Sequence, residues 1–202
     1  MGEKAFLFDR IATVYGLFFN LQVRKYRYIF DSVKAELDLS SYQSIIDIGC
    51  GTGALCKVLG EFGMSVTGLD PAEAMLAIGR KKVGETDSNQ QDVQFIHGNV
   101  LNGLPFKDKS FDLAISSYVA HGLLPEERHT LYNEMQKVAK HTVVLFDYNE
   151  RCSWIIDIAE WLEGGDYFCF IETIKDDLAN QFGNLKVINT GKHSAMYICK
   201  IE

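Results

Sequence analysis

Ser44-Ile45-Ile46-Asp47-Ile48-Gly49-Cys50-Gly51-Thr52-Gly53 is a short apolar run that empties into a glycine-rich loop. The run has the length of a buried strand. Ala54 to Phe62 then carries helical spacing, and Gly63 stands in a C-cap position. Strand, glycine loop and helix in that order open a nucleoside-binding α/β unit, because glycines let the chain turn tightly and let a ligand approach the main chain. Asp70 lies 21 residues after Gly49, at the end of the next apolar run, Ser65-Val66-Thr67-Gly68-Leu69-Asp70. Doubly wound folds place an acid there against a ribose. The plainer reading is a turn that only joins strand to helix. The strand context, the acid and the spacing together favour a nucleoside.

The remaining chain continues the alternation. Pro71 suits the first turn of a helix ending near Lys82, with Asp70 as its N-cap. Gly84 to Asp92 is a polar loop, and Val93 to Ile96 a third strand ahead of Gly98-Asn99. Phe111 to Ser117 is a fourth strand, Pro125 to Lys140 an amphipathic helix, and Thr142 to Phe146 a fifth strand. Strands alternating with helices predict a parallel sheet covered on both faces. Ser153 to Leu162 and Tyr167 to Phe182 are expected as helices around Gly164-Gly165. Lys186 to Asn189 and Ala195 to Cys199 close the chain as an antiparallel hairpin about Thr190-Gly191-Lys192. Residues 4 to 38 are helical in pattern, with interruptions expected at Gly16 and Asn20.

Composition narrows the class. The 202 residues are 47% hydrophobic and 23% charged, an ordinary balance for one globular domain. A formal net charge of −7 provides no global basic footprint for nucleic acid. The five cysteines (50, 56, 152, 169 and 199) are odd in number and form no Cys-x-x-Cys pair. They suggest neither a disulfide framework nor a thiolate metal site, so a reduced, cytoplasmic protein without metal is expected. Glu3 and Asp9 speak against a targeting segment. Ile11 to Val23, with Asn20 and Gln22, is too short and too polar to span a bilayer.

The loop spacing is G-x-G-x-G, not the G-x-G-x-x-G of dinucleotide sites, and Asp47 precedes it. A carboxylate so placed suits an ammonium better than a pyrophosphate. With Gly68-Leu69-Asp70, Gly98-Asn99-Val100, Leu104-Pro105-Phe106 and Phe111-Asp112-Leu113, the chain resembles the class I S-adenosylmethionine-dependent methyltransferases over residues 40 to 150. The resemblance implies an α/β, doubly wound, seven-stranded, mostly parallel sheet with the C-terminal antiparallel hairpin. It implies a single domain over 1–202, with a helical cap (1–40), a cofactor-binding core (41–150), a helical lid (151–183) and the hairpin (184–202). The cofactor would be S-adenosyl-L-methionine. Gly49, Gly51 and Gly53 would line its methionine part, with Cys50 and Thr52 in the same loop. Asp47 would face its amino group, directly or through water. Asp70, with Pro71 beside it, would hold the ribose hydroxyls, and Asn99 and Val100 would meet the adenine. Ser117 would approach the sulfonium. Many relatives carry Asp where this chain has Asn99, yet an Asn carbonyl also accepts from an amino group. The family's Pro-Gly-Gly before the fifth strand is replaced by Val138-Ala139-Lys140-His141, a loop change. Phe8-Asp9-Arg10-Ile11-Ala12, followed by Tyr15, resembles the opening of the quinone-biosynthesis C-methyltransferase branch, where Tyr15 would lie against the cofactor.

Catalytic candidates are His121, after the fourth strand, and Asp147 and Tyr148, after the fifth. His121 is a base or a cap-type or surface histidine; Asp147 and Tyr148 reach the substrate or form a solvated loop pair. The aromatic segments at residues 6–20 and 153–182 are expected to roof the pocket, with Tyr15, Tyr148 and Tyr167 nearest it. The expected function is in-line methyl transfer to a small, partly apolar acceptor. No nucleic-acid partner or membrane span is expected, and the assembly would be a monomer or homodimer. The rivals are a cofactor-binding regulator or partner subunit of the same fold and, disfavoured by the glycine spacing, a nicotinamide oxidoreductase.

Overall fold

Seven described strands carry the fold. A computed structural model describes residues 3–84, 92–150 and 167–201. The elements, in chain order, are α1 (Glu3–Ser32), β1 (Ser44–Ile48), α2 (Ala54–Glu61), β2 (Ser65–Asp70), α3 (Glu73–Gly84) and β3 (Val93–His97). They continue as β4 (Phe111–Ser117), α4 (Pro125–Val138), β5 (Ala139–Tyr148), α5 (Tyr167–Phe182), β6 (Asn184–Asn189) and β7 (Ser194–Lys200). The strands lie in one sheet in the order β3-β2-β1-β4-β5-β7-β6. The expected doubly wound sheet is therefore present, with β7 antiparallel to both of its neighbours. The helix expected at Ser153 to Leu162, with Gly164-Gly165, lies outside the described residues.

By their contacts the residues fall into two units, Met1–Asn99 and Val100–Glu202. In the first, β1, β2 and β3 run parallel, with Asp47 opposite Gly68 and Asp70 opposite His97. Ile45, Ile46 and Ile48 are buried on both faces of β1, as a parallel sheet requires. The first unit's long helix corrects an expectation. α1 runs without a break through Gly16 and Asn20. Phe19, Val23, Tyr26, Ile29 and Phe30 are buried at helical spacing, and α1 packs on α2 and α3. Each such burial is worth about 1.5–3 kcal/mol, more than the roughly 1 kcal/mol a helical glycine costs. Arg27 also grips Glu61 of α2 through Nε and Nη2, at 2.7 and 2.6 Å, and so holds the Glu61 carboxyl below its usual range.

In the second unit β4 and β5 are parallel, and β5, β7 and β6 form the antiparallel end. β5 begins at Ala139, directly after α4, where a loop was expected. Ala139 is itself extended, at φ −84° and ψ 137°, so the helix passes into the strand with no intervening turn. β5 also runs to Tyr148, so Asp147 and Tyr148 are paired strand residues, opposite Ala195 and Ser194. They are not a solvated loop pair. No described helix is long and apolar enough to cross a membrane.

Candidate functional site

The glycine loop between β1 and α2 holds itself together with its own amides. Gly49 and Cys50 both donate to the Leu69 carbonyl, at 2.7 and 3.1 Å, and Gly53 donates to the Cys50 carbonyl at 2.9 Å. Gly51 donates to Asp70 Oδ2 at 2.8 Å. Four of the five loop amides are thus turned to protein acceptors. A phosphate cradle is built from amides that point outward, and this loop has few left to offer. The carbonyl oxygens of the loop suit a cation.

Gly51 sits at φ +52°, and a Cβ built on it would meet nothing within 4 Å. The loop is therefore open on that side. Gly53, at φ +75°, is closed: a Cβ there would stand 2.5 Å from the ring of Phe95. The same ring would meet a Cβ on Gly68 at 3.0 Å and one on Gly79 at 3.1 Å. Phe95 of β3 thus fills a slot that glycines from the loop, β2 and α3 keep free. Sequence reasoning missed Phe95, although a glycine inside a strand signals the close approach of another group.

Asp47 is fully buried at the head of this loop. Its Oδ2 accepts from Cys56 Sγ at 3.3 Å, a partner not anticipated. Its Oδ1 has no hydrogen-bond partner among the described residues. Burial pushes the carboxyl up to about 7, with the nearby Asp70 charge adding to the rise and the Cys56 thiol opposing it. Burial likewise raises the thiols of Cys50 and Cys56, so both are packed neutral groups.

Asp70 ends β2 but is buried, and its two oxygens are both engaged. Oδ2 holds the Gly51 amide, and Oδ1 accepts from the Ala72 amide at 2.8 Å. The Ala72 carbonyl takes the first bonds of α3, from Met75 and Leu76. Pro71 therefore precedes the helix and is not in its first turn, and Asp70 caps the bend before it. His97 Nε2 donates to the Pro71 carbonyl at 3.0 Å, and the Gly98 amide to the Asp70 carbonyl at 3.1 Å. The structure thus gathers Asp47, Gly49 to Gly53, Asp70 and Pro71 at the carboxyl ends of β1 and β2, with Asn99 following β3. Tyr15 lies within α1, and its side chain is outside the described set, as is that of Tyr167.

Val100 and Ser117 belong to the second unit. Val100 is buried at the start of a short 3₁₀ turn, and Ser117 ends β4 opposite Phe146. There His121 stands in the 3₁₀ turn Ala120–Gly122. Its Nδ1 lies 2.7 Å from Asp147 Oδ1, and the imidazole is only 12% exposed. It is neither a helix cap nor a surface residue. Asp147 also accepts from the amides of Ala120, His121 and Tyr148, at 3.1, 3.4 and 2.8 Å. The Tyr148 and Phe170 rings meet the imidazole edge to face, at 4.8 and 6.4 Å. Among the described residues, no group of three His, Cys, Asp or Glu side chains is placed to hold a metal.

Comparison with known proteins fits this geometry. Residues 46–146 match the methyltransferase domain family. The chain is 37% identical over 114 residues to the demethylmenaquinone methyltransferase of Shouchella clausii KSM-K16, covering 54% of this chain and 46% of that protein. It is 27% identical to an uncharacterized methyltransferase of Staphylococcus carnosus TM300, over 92% of this chain and 93% of the other. It thus spans less than half the length of the demethylmenaquinone relative. Among solved structures, magnesium protoporphyrin IX methyltransferase from Synechocystis PCC 6803 with bound SAH superposes with a TM-score of 0.63 at 17% identity, covering 94% of this chain and 99% of that one. The PH0226 protein of Pyrococcus horikoshii OT3 gives 0.68 at 17% identity, over 87% and 89%. At such identities the likeness is one of fold.

Proposed function

Because the chain belongs to the methyltransferase domain family, we propose that it moves a methyl group in line from S-adenosylmethionine to a small, partly apolar acceptor. The observation that carries this reading is the inward turn of the loop amides, beside a buried carboxylate with an unpartnered oxygen. A dinucleotide would ask for outward amides. A zwitterion with an ammonium asks for carboxylate and carbonyl oxygen. The donor, when bound, supplies an electrophilic methyl carbon on a sulfonium. The chain's contribution is to hold and align. Asp47 Oδ1 takes the ammonium, directly or through water. Gly51 leaves room for the methionine part. Asp70 accepts from the ribose hydroxyls with the lone pairs that the Gly51 and Ala72 amides leave over. Such alignment alone supplies effective molarities of about 10⁵ M or more.

Asp47 provides a test through its proton. Its carboxyl is raised from 3.8 to about 7 in the folded chain. The folded state therefore binds a proton that the unfolded state has released between those values. The stability this contributes is full below about 4 and is lost as pH rises to about 7. An ammonium at Oδ1 favours the ionised form. Binding of S-adenosylhomocysteine at pH 6 is thus expected to release about one proton, read by calorimetry in buffers of different ionisation heat. Asp47→Asn should release none. Equal release by both proteins would remove Asp47 from the ammonium site. Turnover is tested with 1,4-naphthohydroquinone, a small aromatic diol chosen because one relative is a demethylmenaquinone methyltransferase, by following S-adenosylhomocysteine formation.

A further inference from the structure

Helix α1 is apolar on two opposite faces. Its inner face, with Phe19, Val23, Tyr26 and Phe30, is buried, and α1 packs on α2 and α3. Its outer face is not covered in this way. Leu17, Phe18, Leu21 and Tyr28 are 79%, 53%, 63% and 73% exposed. They are four of the seven large apolar side chains that stand so exposed among the described residues. At about 100° per residue, Leu17, Leu21 and Tyr28 fall in one narrow stripe with Arg24 beside it, opposite the buried Phe19 and Tyr26. Phe18 and Lys25 flank the stripe on one side and Arg27 on the other. From Leu17 to Tyr28 the stripe runs about 17 Å along the helix. A surface helix ordinarily turns polar residues outward, and one that is apolar all round is normally covered. A single exposed apolar side chain needs no explanation, but a contiguous row marks an interaction surface.

The charge along this row has one sign. Ile11 to Phe30 holds Arg24, Lys25 and Arg27 and no carboxylate, in a chain whose net charge is −7. Arg24 and Lys25 are exposed, whereas Arg27 is committed to Glu61. Asp31 is the first acid to follow. Whatever covers the face must therefore bring negative charge and also accept apolar side chains. A second copy laid on it would bring its own Arg24 and Lys25 and no acid, leaving the cations unanswered. The outer side of a single helix is a convex ridge. A fluid interface takes such a ridge without a matching groove. Leucine and phenylalanine enter the acyl region, while the tyrosine hydroxyl and the guanidinium stay at the headgroups.

We propose that the outer face of α1 docks the chain on the surface of an anionic bilayer. The helix lies in the interface, held to the protein by its inner face, and does not cross. Leu17, Phe18, Leu21 and Tyr28 supply the apolar contact. Arg24 meets the lipid phosphates, and the Lys25 charge adds to the attraction. The rest of the chain, negative in sum, is repelled by the same surface, so this face leads the approach. Docking needs no cofactor and is independent of the methyl-transfer reading.

The test is co-sedimentation of the full chain with vesicles, either phosphatidylglycerol and phosphatidylcholine in equal parts or phosphatidylcholine alone. Partition should be at least about fivefold stronger into the anionic vesicles and should weaken as salt is raised. The double variant Leu17→Gln, Leu21→Gln should bind them about tenfold or more weakly, with circular dichroism and melting unchanged because both side chains face outward. Arg24→Gln should reduce the anionic preference about fivefold. Leu124→Gln, an exposed leucine off this face, should bind as wild type does. No sedimentation, equal binding to both vesicles, or equal losses at Leu124 and at the α1 pair overturns the proposal. If the double variant does not fold, Arg24→Gln decides alone. Wild type that ignores vesicles but forms a dimer the α1 variants abolish, read by analytical ultracentrifugation, would assign the face to a second copy and likewise overturn it.

Discussion

Gly51→Val is expected to bind S-adenosylhomocysteine at least about 100-fold more weakly than wild type, a loss of roughly 2.7 kcal/mol, while keeping its circular dichroism. The residue turns at φ +52°, and the space its Cβ would enter is empty of protein. A Cβ there meets no neighbour within 4 Å, so the harm falls chiefly on the ligand. A β-branched residue in the left-handed region also strains the backbone by about 1–3 kcal/mol. A domain stable by about 5–15 kcal/mol absorbs that. Gly53→Ala provides the contrast. Its Cβ would press on Phe95 at 2.5 Å, so its damage should appear in the melting temperature. Near-normal calorimetric binding by a folded Gly51→Val protein would place the ligand elsewhere.

Asp70→Ala should weaken cofactor affinity by about 2–3 kcal/mol, because two ribose hydroxyls lose a charged acceptor. The structure adds a second expected effect. The Gly51 and Ala72 amides would lose the carboxylate that accepts from them, and an unsatisfied buried donor costs about 1–3 kcal/mol. The protein should therefore fold but melt earlier. Asp70→Asn should fall between, since one amide oxygen replaces two carboxylate oxygens. Calorimetry and thermal denaturation separate the two effects. Unchanged affinity would sink the ribose assignment, and an unchanged melting temperature would sink the tether.

The strands were legible because each apolar, β-branched run is bounded by turn residues: Ile45 to Ile48 by the glycine loop, Val187 and Ile188 by Thr190-Gly191. α5 came out with the bounds its pattern predicts. Misreadings arose where distant packing overrides local preference. Gly16 and Asn20 look like breakers, but the buried stripe on α2 and α3 holds the helix through them. Val138 to His141 carries no sign of a strand start, because Ala139 turns from helix to strand without a loop. In the candidate site, the glycine loop, Asp47 and Asp70 are proposed from spacing alone. Their bonds are not legible that way. Cys56 on Asp47, Asp70 on Gly51, and above all His121 on Asp147, 26 residues apart, are made by the sheet and leave no mark in local sequence.

The slot around Phe95 bears on how this chain can change over generations. Gly53, Gly68 and Gly79 come from three different elements, yet the same ring would crowd a side chain on each, joined at Gly68 by the Cys50 and Cys56 sulfurs and at Gly79 by the Thr52 carbonyl. A replacement at any of them is blocked while an aromatic stands at 95, whatever its merits locally. The ring must shrink first, and even then only Gly53 gains room, since the Cys56 and Cys50 sulfurs would stand 2.8 and 2.9 Å from a Cβ on Gly68 and the Thr52 carbonyl 3.1 Å from one on Gly79. Phe95 and Gly53 thus form one historical unit, with a permitted order of steps. A lineage that lost Phe95 would gain room at Gly53 alone, where the turn at φ +75° still favours glycine.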